Sequence, residues 1–390
     1  TGNGEIAVAV HDGDATLGNI RADGDVSLSA VDGGLINDND DTNYVGGDSV
    51  TLASADGIGA GGAIDTRANR IDASVSGDGN IDIAERDGLA GLDASAANGN
   101  VKVSTATGNL TVDQVKALSP GNAVMLFAEG GSIVDGNGDA NNIVASLLRI
   151  AAAQGIARAS DPLDVRVASL AADGGNGGVY INNGSSDPLS VLELIGKGNI
   201  GLTTDGDLDL SGTVNGAGVS LQAGGDVLQG GDIFSDSYAN VYGEGDVTMT
   251  RNARTFAITD VDYHAGDALT VNEISTTSGL TGGLISLQGK TFKSNAEGSG
   301  SLSGGAVRFN LTSTEGLDTE HLVNTAYNNA RVSVNGRTEG GKITEDSQYV
   351  ADLIFPSTVF PHLIYQNLTT PSSLGFQQDS DNEEEWHFSP

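Results

Sequence analysis

The feature that most constrains this chain is a short strand that keeps returning. Val26–Ala30, Ser49–Ala53, Asn80–Ala84, Asn100–Val103, Gly218–Gln222 and Val307–Phe309 each place apolar residues at i and i+2. That period turns one face of a strand inward. Gly, Asp or Asn separates the strands, and these residues tolerate the positive φ that tight turns require. Strand starts recur roughly every 20 to 24 residues, the spacing of a solenoid rung. A β-sandwich would turn about every 8 to 12 residues. The shorter spacing is present too, because one rung holds two or three short strands, and the longer period decides. The expected fold is all-β, a right-handed parallel β-helix. If about 340 residues coil at about 21 per rung, about 16 rungs at roughly 4.8 Å give a rod about 75 Å long.

A larger period lies over the first. The segment from Val26 to Asp38 resembles that from Val124 to Asp135, Asp56–Gly59 resembles Gln154–Ala157, and Gly108–Val112 resembles Gly206–Leu210, each at an offset of 98 residues. A third copy opens at Val219, 95 residues after Val124. Residues 1–315 therefore read as a body of tandem units of about 97 residues, four or five rungs each. Residues 316–390 form a distinct capping or assembly segment. Asp318–Tyr327 reads as a short helix with a polar N-cap. Aromatics then gather at Phe355, Phe360, Tyr365, Phe376, Trp386 and Phe388, with four of the chain's 7 prolines and an acidic run from Asp379 to Glu385. These six aromatics are the expected assembly residues, packing on a partner such as a neighbouring copy; a cap on their own rod and a flexible acidic tail are the plainer alternatives.

Composition narrows the partners. The 57 glycines follow no Gly-X-Y period, so collagen is excluded, and the β-branched runs between them argue against simple disorder. With 52 acidic and 18 basic residues the net charge is −34. Such a surface repels phosphate backbones and anionic lipid heads, so neither nucleic acid nor membrane insertion is expected. It attracts divalent cations. The chain has no cysteine, which excludes disulfides and thiolate metal sites. No run of about 18 apolar residues is present. No charged-then-apolar leader follows Thr1, so the chain reads as a processed product or a fragment.

The repeated unit of strand, Gly-Gly, Asp or Ser, then Ile or Val, as in Gly218–Ile233, resembles the large secreted β-helical adhesins of the filamentous haemagglutinin type. The runs Leu148–Ala157, Asp161–Ala172 and Gly178–Asn183 are similar to a module common in giant bacterial surface proteins. The resemblance covers about residues 1 to 310 and is specific for architecture rather than function. It implies secretion, a cell-surface or matrix location, and adhesion or fibre formation. The family's secretion-domain motif is not visible, and the C-terminal segment has no counterpart in it.

Four constellations hold residues with the makings of a chemical site. Gly57-Ile58-Gly59-Ala60-Gly61-Gly62 matches a dinucleotide-binding pattern, but no helix is expected after it, so it reads as turn chemistry. Asp135, Asn137, Asp139 and Asn141 set oxygens at alternate positions, as the first half of a Ca²⁺ loop does; Asp38, Asp40 and Asp41 form a weaker cluster one unit earlier. Ala140 and Ser146 stand where such a loop has glycine and glutamate, so a solvated acidic turn is the plainer reading and no cofactor is required. Asp260, Asp262 and His264 share one strand face and are the acid–base candidates, against the plainer reading of an outer polar face with Val261 and Tyr263 inward. The other histidines, His11, His321, His362 and His387, are scattered.

An extracellular structural or adhesive fibre protein is therefore expected, joined head to tail through its C-terminal segment. A stalk that binds a receptor or polysaccharide ranks close behind. A β-helix polysaccharide lyase or hydrolase ranks last: no catalytic residue is assigned, and with few lysines a cationic cleft for acidic sugars is hard to assemble.

Overall fold

The computed structural model describes residues 4–277, 283–295, 302–315, 317, 323, 331–336, 376–378 and 386–388. The described residues contain strands and no helix, and the strands stack in parallel as a β-solenoid of about 14 turns. This is fewer than about 16 because turns are often longer than 21 residues. The register Val26↔Val50 spans 24 residues and Val115↔Ile143 spans 28.

The chain divides into two compact units, Thr1–Ala217 and Gly218–Pro390. In the first, one ladder runs through Leu35, Ile58, Ile81, Val101, Val124, Leu148, Leu170, Val191 and Leu210. Each of these side chains is at most 1% exposed. Full burial of such a side chain is worth about 1.5–3 kcal/mol, so the stacked column supplies much of the cohesion between turns. A second ladder passes through Val26, Val50, Ile71 and Leu92. Val26 and Val124 thus stand in different ladders. The 98-residue resemblance between them does not carry a strand through a whole number of turns on one face.

In the second unit the core ladder is Val219, Ala239, Val261, Ile285 and Val307, all fully buried. The helix expected over Asp318–Tyr327 falls largely outside the described residues, as do Phe355, Phe360, Tyr365, His321 and His362. Phe376–Gln378 pairs antiparallel with Trp386–Phe388, with Phe376 opposite Phe388 and Gln377 opposite His387.

The Asp and Asn residues that precede the strands staple each turn to the next. Asn80 Oδ1 accepts the Asn100 N–H at 2.8 Å, and Asn100 Oδ1 accepts the Ala123 N–H at 2.8 Å. In the second unit Asp226 Oδ1 accepts the Asp246 N–H at 2.7 Å, and Asp246 Oδ1 accepts the Ala268 N–H at 2.9 Å. Ion pairs follow the same spacing: Arg67–Asp87, Lys102–Asp82, Arg254–Asp232 and Lys290–Asp267 each join residues 20 to 23 apart. In the Gly57–Gly62 segment the short strand Ile58–Ala60 is followed by a turn at Gly61 and Gly62, with no helix after it. Gly57, Gly59 and Gly61 have φ of 125°, 84° and 88°, and a Cβ on Gly59 would lie 2.4 Å from the Asp82 carbonyl oxygen. The strand Ile64–Asp78 follows it.

Candidate functional site

The register of the first unit assembles a cleft from three consecutive turns. Arg21 pairs with Gly46, and Gly46 pairs with Arg67, so two arginines flank one glycine in an outward column. Tyr44 lies over that glycine. A Cβ on Gly46 would stand 2.7 Å from Tyr44 Cε2, so only glycine leaves room for the ring. The Arg21 guanidinium stacks on the ring at 3.8 Å from its centroid, and Arg86 lies at 4.9 Å. Exposed contacts of this kind are worth about 0.5–1 kcal/mol each. Among the described residues Arg21 takes part in no ion pair.

The cleft has a volume of about 530 Å³ and is open to solvent. Arg67 crosses it to pair with Asp87 at 3.1 Å, and Asn69 donates to Asp48 at 2.6 Å. Asp87, and after it Tyr44, raise the pKa of the Arg67 guanidinium. Asp23 completes the acidic lining.

Beneath the cleft lies a buried carboxyl. Glu85 is 1% exposed and stands in a column with Thr66 and Thr105. It accepts from the Thr66 hydroxyl at 2.9 Å, the Ala68 N–H at 3.1 Å and the Asp87 N–H at 3.2 Å. Burial, with Asp87 adding to it, pushes its pKa up to about 7. The same carboxyl therefore ties together the strand that carries Arg67 and the turn that carries Asp87.

The two acidic loops are closed by amides. Asp135 Oδ1 accepts from the N–H groups of Asn137 at 2.8 Å and Gly138 at 3.1 Å, and from Asn142 Nδ2 at 2.8 Å. Asn142 is fully buried and also donates to Asn137 Oδ1 at 2.9 Å and the Val112 carbonyl at 2.8 Å. Asp139 and Asn141 are exposed, while Asp135 Oδ2 is buried without a hydrogen-bond partner. A Ca²⁺ ion drawing on Asp135 Oδ1 and Asn137 Oδ1 would have to displace this amide. In the earlier loop Asn43 plays the same part, donating to Asp38 Oδ2 at 2.6 Å. Asp38 Oδ1 accepts the Asp40 N–H at 3.1 Å, and Asp40 accepts both the N–H and the hydroxyl of Thr42. Asp41 is exposed. Among the described residues no three His, Asp or Glu side chains converge as a metal cluster.

Val261 and Tyr263 point into the core and Asp262 outward, with His264 half-buried on the outer row. His264 meets Tyr242 edge-on at 4.8 Å and lies 3.2 Å from Gln288 Nε2. Asp260 Oδ1 accepts the Leu284 N–H at 3.0 Å, which gives that carboxylate a stapling role.

Sequence reasoning missed the cleft and Asn142. Arg21, Arg67 and Arg86 gather around one tyrosine, although the acidic residues of the lining outnumber its arginines. The available signal was spacing: Arg21, Tyr44 and Arg67 follow at intervals of 23 residues, close to one turn. No family model, no curated protein and no solved structure matches this chain.

Proposed function

We propose that this chain is an extracellular structural and adhesive module of the β-helical kind, acting at a cell surface or in a matrix. The observation that carries the reading is the filled interior. Columns of aliphatic side chains run from turn to turn, so ligands and partners are met on the outer face. A chain built of stacked turns supplies an extended, repetitive surface, which suits a role in spacing or display more than one in catalysis. The polar staples and the charge of −34 fit a surface that stays solvated in salt. Self-association head to tail through residues 316–390 is the assembly mode proposed, and no cofactor is needed for it.

Electron microscopy of the whole chain, beside a chain lacking residues 345–390, tests this. Uniform filaments that vanish on truncation are expected. Isolated particles from the whole chain would overturn the fibre reading. A second reading, a stalk that binds a polysaccharide, is favoured by the Arg21–Tyr44–Arg67 cleft.

A further inference from the structure

We propose that the cleft around Tyr44 binds a neutral, hydroxyl-rich saccharide segment. The inference gives the adhesive side of the proposed function a site and a ligand class, and rests on that reading. The cavity of about 530 Å³ falls within the range of small-ligand sites, about 300–1,000 Å³. Its lining settles the chemistry. Apart from Tyr44, the side chains that reach it beyond alanine are all polar, so it lacks the apolar anchors that a peptide or lipid needs.

Donors and acceptors stand side by side. Arg21, Arg67 and Asn69 donate, and Asp23, Asp48 and Asp87 accept. A sugar hydroxyl both donates and accepts, so adjacent hydroxyls match such a mixed rim. The charges decide against an acidic sugar. Two guanidinium groups face three carboxylates within the lining, and the chain as a whole carries −34. A uronate polymer would be repelled both locally and at a distance.

The site is also pre-organised. Asp87 holds Arg67, Asp48 holds Asn69, and Tyr44 holds Arg21 by stacking, so the planar groups are set before a ligand arrives. Among the described residues Arg21 is engaged by stacking alone, which keeps its N–H donors available for two neighbouring hydroxyls.

Saturation-transfer NMR and calorimetry on the whole chain test this. The probes are neutral oligosaccharides, namely β-1,4-linked glucose and mannose hexasaccharides and an α-linked glucose hexasaccharide, with an oligogalacturonate as the acidic comparison. At least one neutral probe is expected to bind. Arg21→Gln and Tyr44→Ala should each weaken it about tenfold or more. Gly46→Val, which pushes the ring aside, should do the same. Arg254→Ala, a change in the other unit, should leave binding unaltered. Circular dichroism checks that each variant stays folded, and the conservative Arg21→Gln keeps the test valid should Gly46→Val not fold.

Neutral binding indifferent to all the cleft variants would overturn the assignment. Binding of the uronate alone, or of no probe at millimolar concentration, would overturn it as well. Filament formation is scored separately by microscopy, so loss of sugar binding with filaments intact sinks the cleft and spares the structural role.

Discussion

One large buried polar side chain in each unit makes the sharpest contrast in the molecule. The first places a carboxyl, Glu85, in a column between Thr66 and Thr105. The second places a phenol, Tyr263, whose hydroxyl meets Thr255 Oγ1 at 2.6 Å and donates to Gln229 Oε1. Both side chains are almost wholly withdrawn from water. The tyrosine network is neutral and its members satisfy one another, with Gln229 Nε2 also donating to Thr255 Oγ1 at 3.1 Å and the Arg254 carbonyl at 3.2 Å. Burial raises the Tyr263 pKa still further from neutrality, so this network does not titrate under ordinary conditions. Glu85 does titrate there, because burial lifts it from 4.5 to about 7. Thr105 Oγ1 beside it in the column has no hydrogen-bond partner. A neutral island can be permanent, whereas a carboxyl island ties the stability of its turns to pH.

The largest effect is expected from Tyr263→Ala. Removing a fully buried ring and stranding Gln229 and Thr255 should cost about 3–5 kcal/mol, read as a lower denaturation midpoint for the second unit. A cost near zero would mean that the island contributes nothing.

The next effect concerns Glu85. Its folded pKa lies above its unfolded value, so its contribution is fully present below about pH 4.5 and is lost as pH rises through about 7. The first unit should therefore lose roughly 3 kcal/mol between pH 4.5 and 8 from this group alone. Denaturation of the wild type and Glu85→Gln across that range isolates the term. The variant should show a flatter profile, and an identical pH dependence in both would dismiss the titrating island.

Tyr263→Phe keeps the ring and removes the hydroxyl. About 1–3 kcal/mol is expected, because Gln229 and Thr255 lose a buried partner. The pH profile should not change, in contrast to Glu85→Gln. Smallest of all, a chelator should leave the circular dichroism and melting of the whole chain unaltered, since amides already close both acidic loops. A clear drop in melting temperature on chelation would restore calcium as a structural element.

Much of the fold was legible in the sequence, because alternation at i and i+2 tells inward from outward residues without knowledge of partners. Val261 and Tyr263 were read inward on that rule alone, and both are fully buried. The same rule applied to Ile81–Glu85 puts Glu85 in line with Ile81 and Ile83, but a charged residue at the end of a strand passes easily for a turn. The cleft was illegible for a different reason. It depends on which residue of one turn lies beside which residue of the next, and turn length varies along the chain. Arg21, Gly46 and Arg67 become neighbours only once the register is known. Asn142 escaped notice because acidic residues drew the eye to the loop, whereas the organising group is an amide at its end.

All of these assignments depend on parallel stacking in register. Electron–electron distance measurement tests it directly, helped by the absence of native cysteine. Spin labels at Ser27 and Gln114 lie on one ladder that runs through Thr51, Asp72 and Asp93. Four steps of about 4.8 Å place their backbones about 19 Å apart, although 87 residues separate them in sequence. A narrow distribution near that distance is expected. A broad one, or one centred beyond about 40 Å, would contradict the stacked coil and everything derived from it.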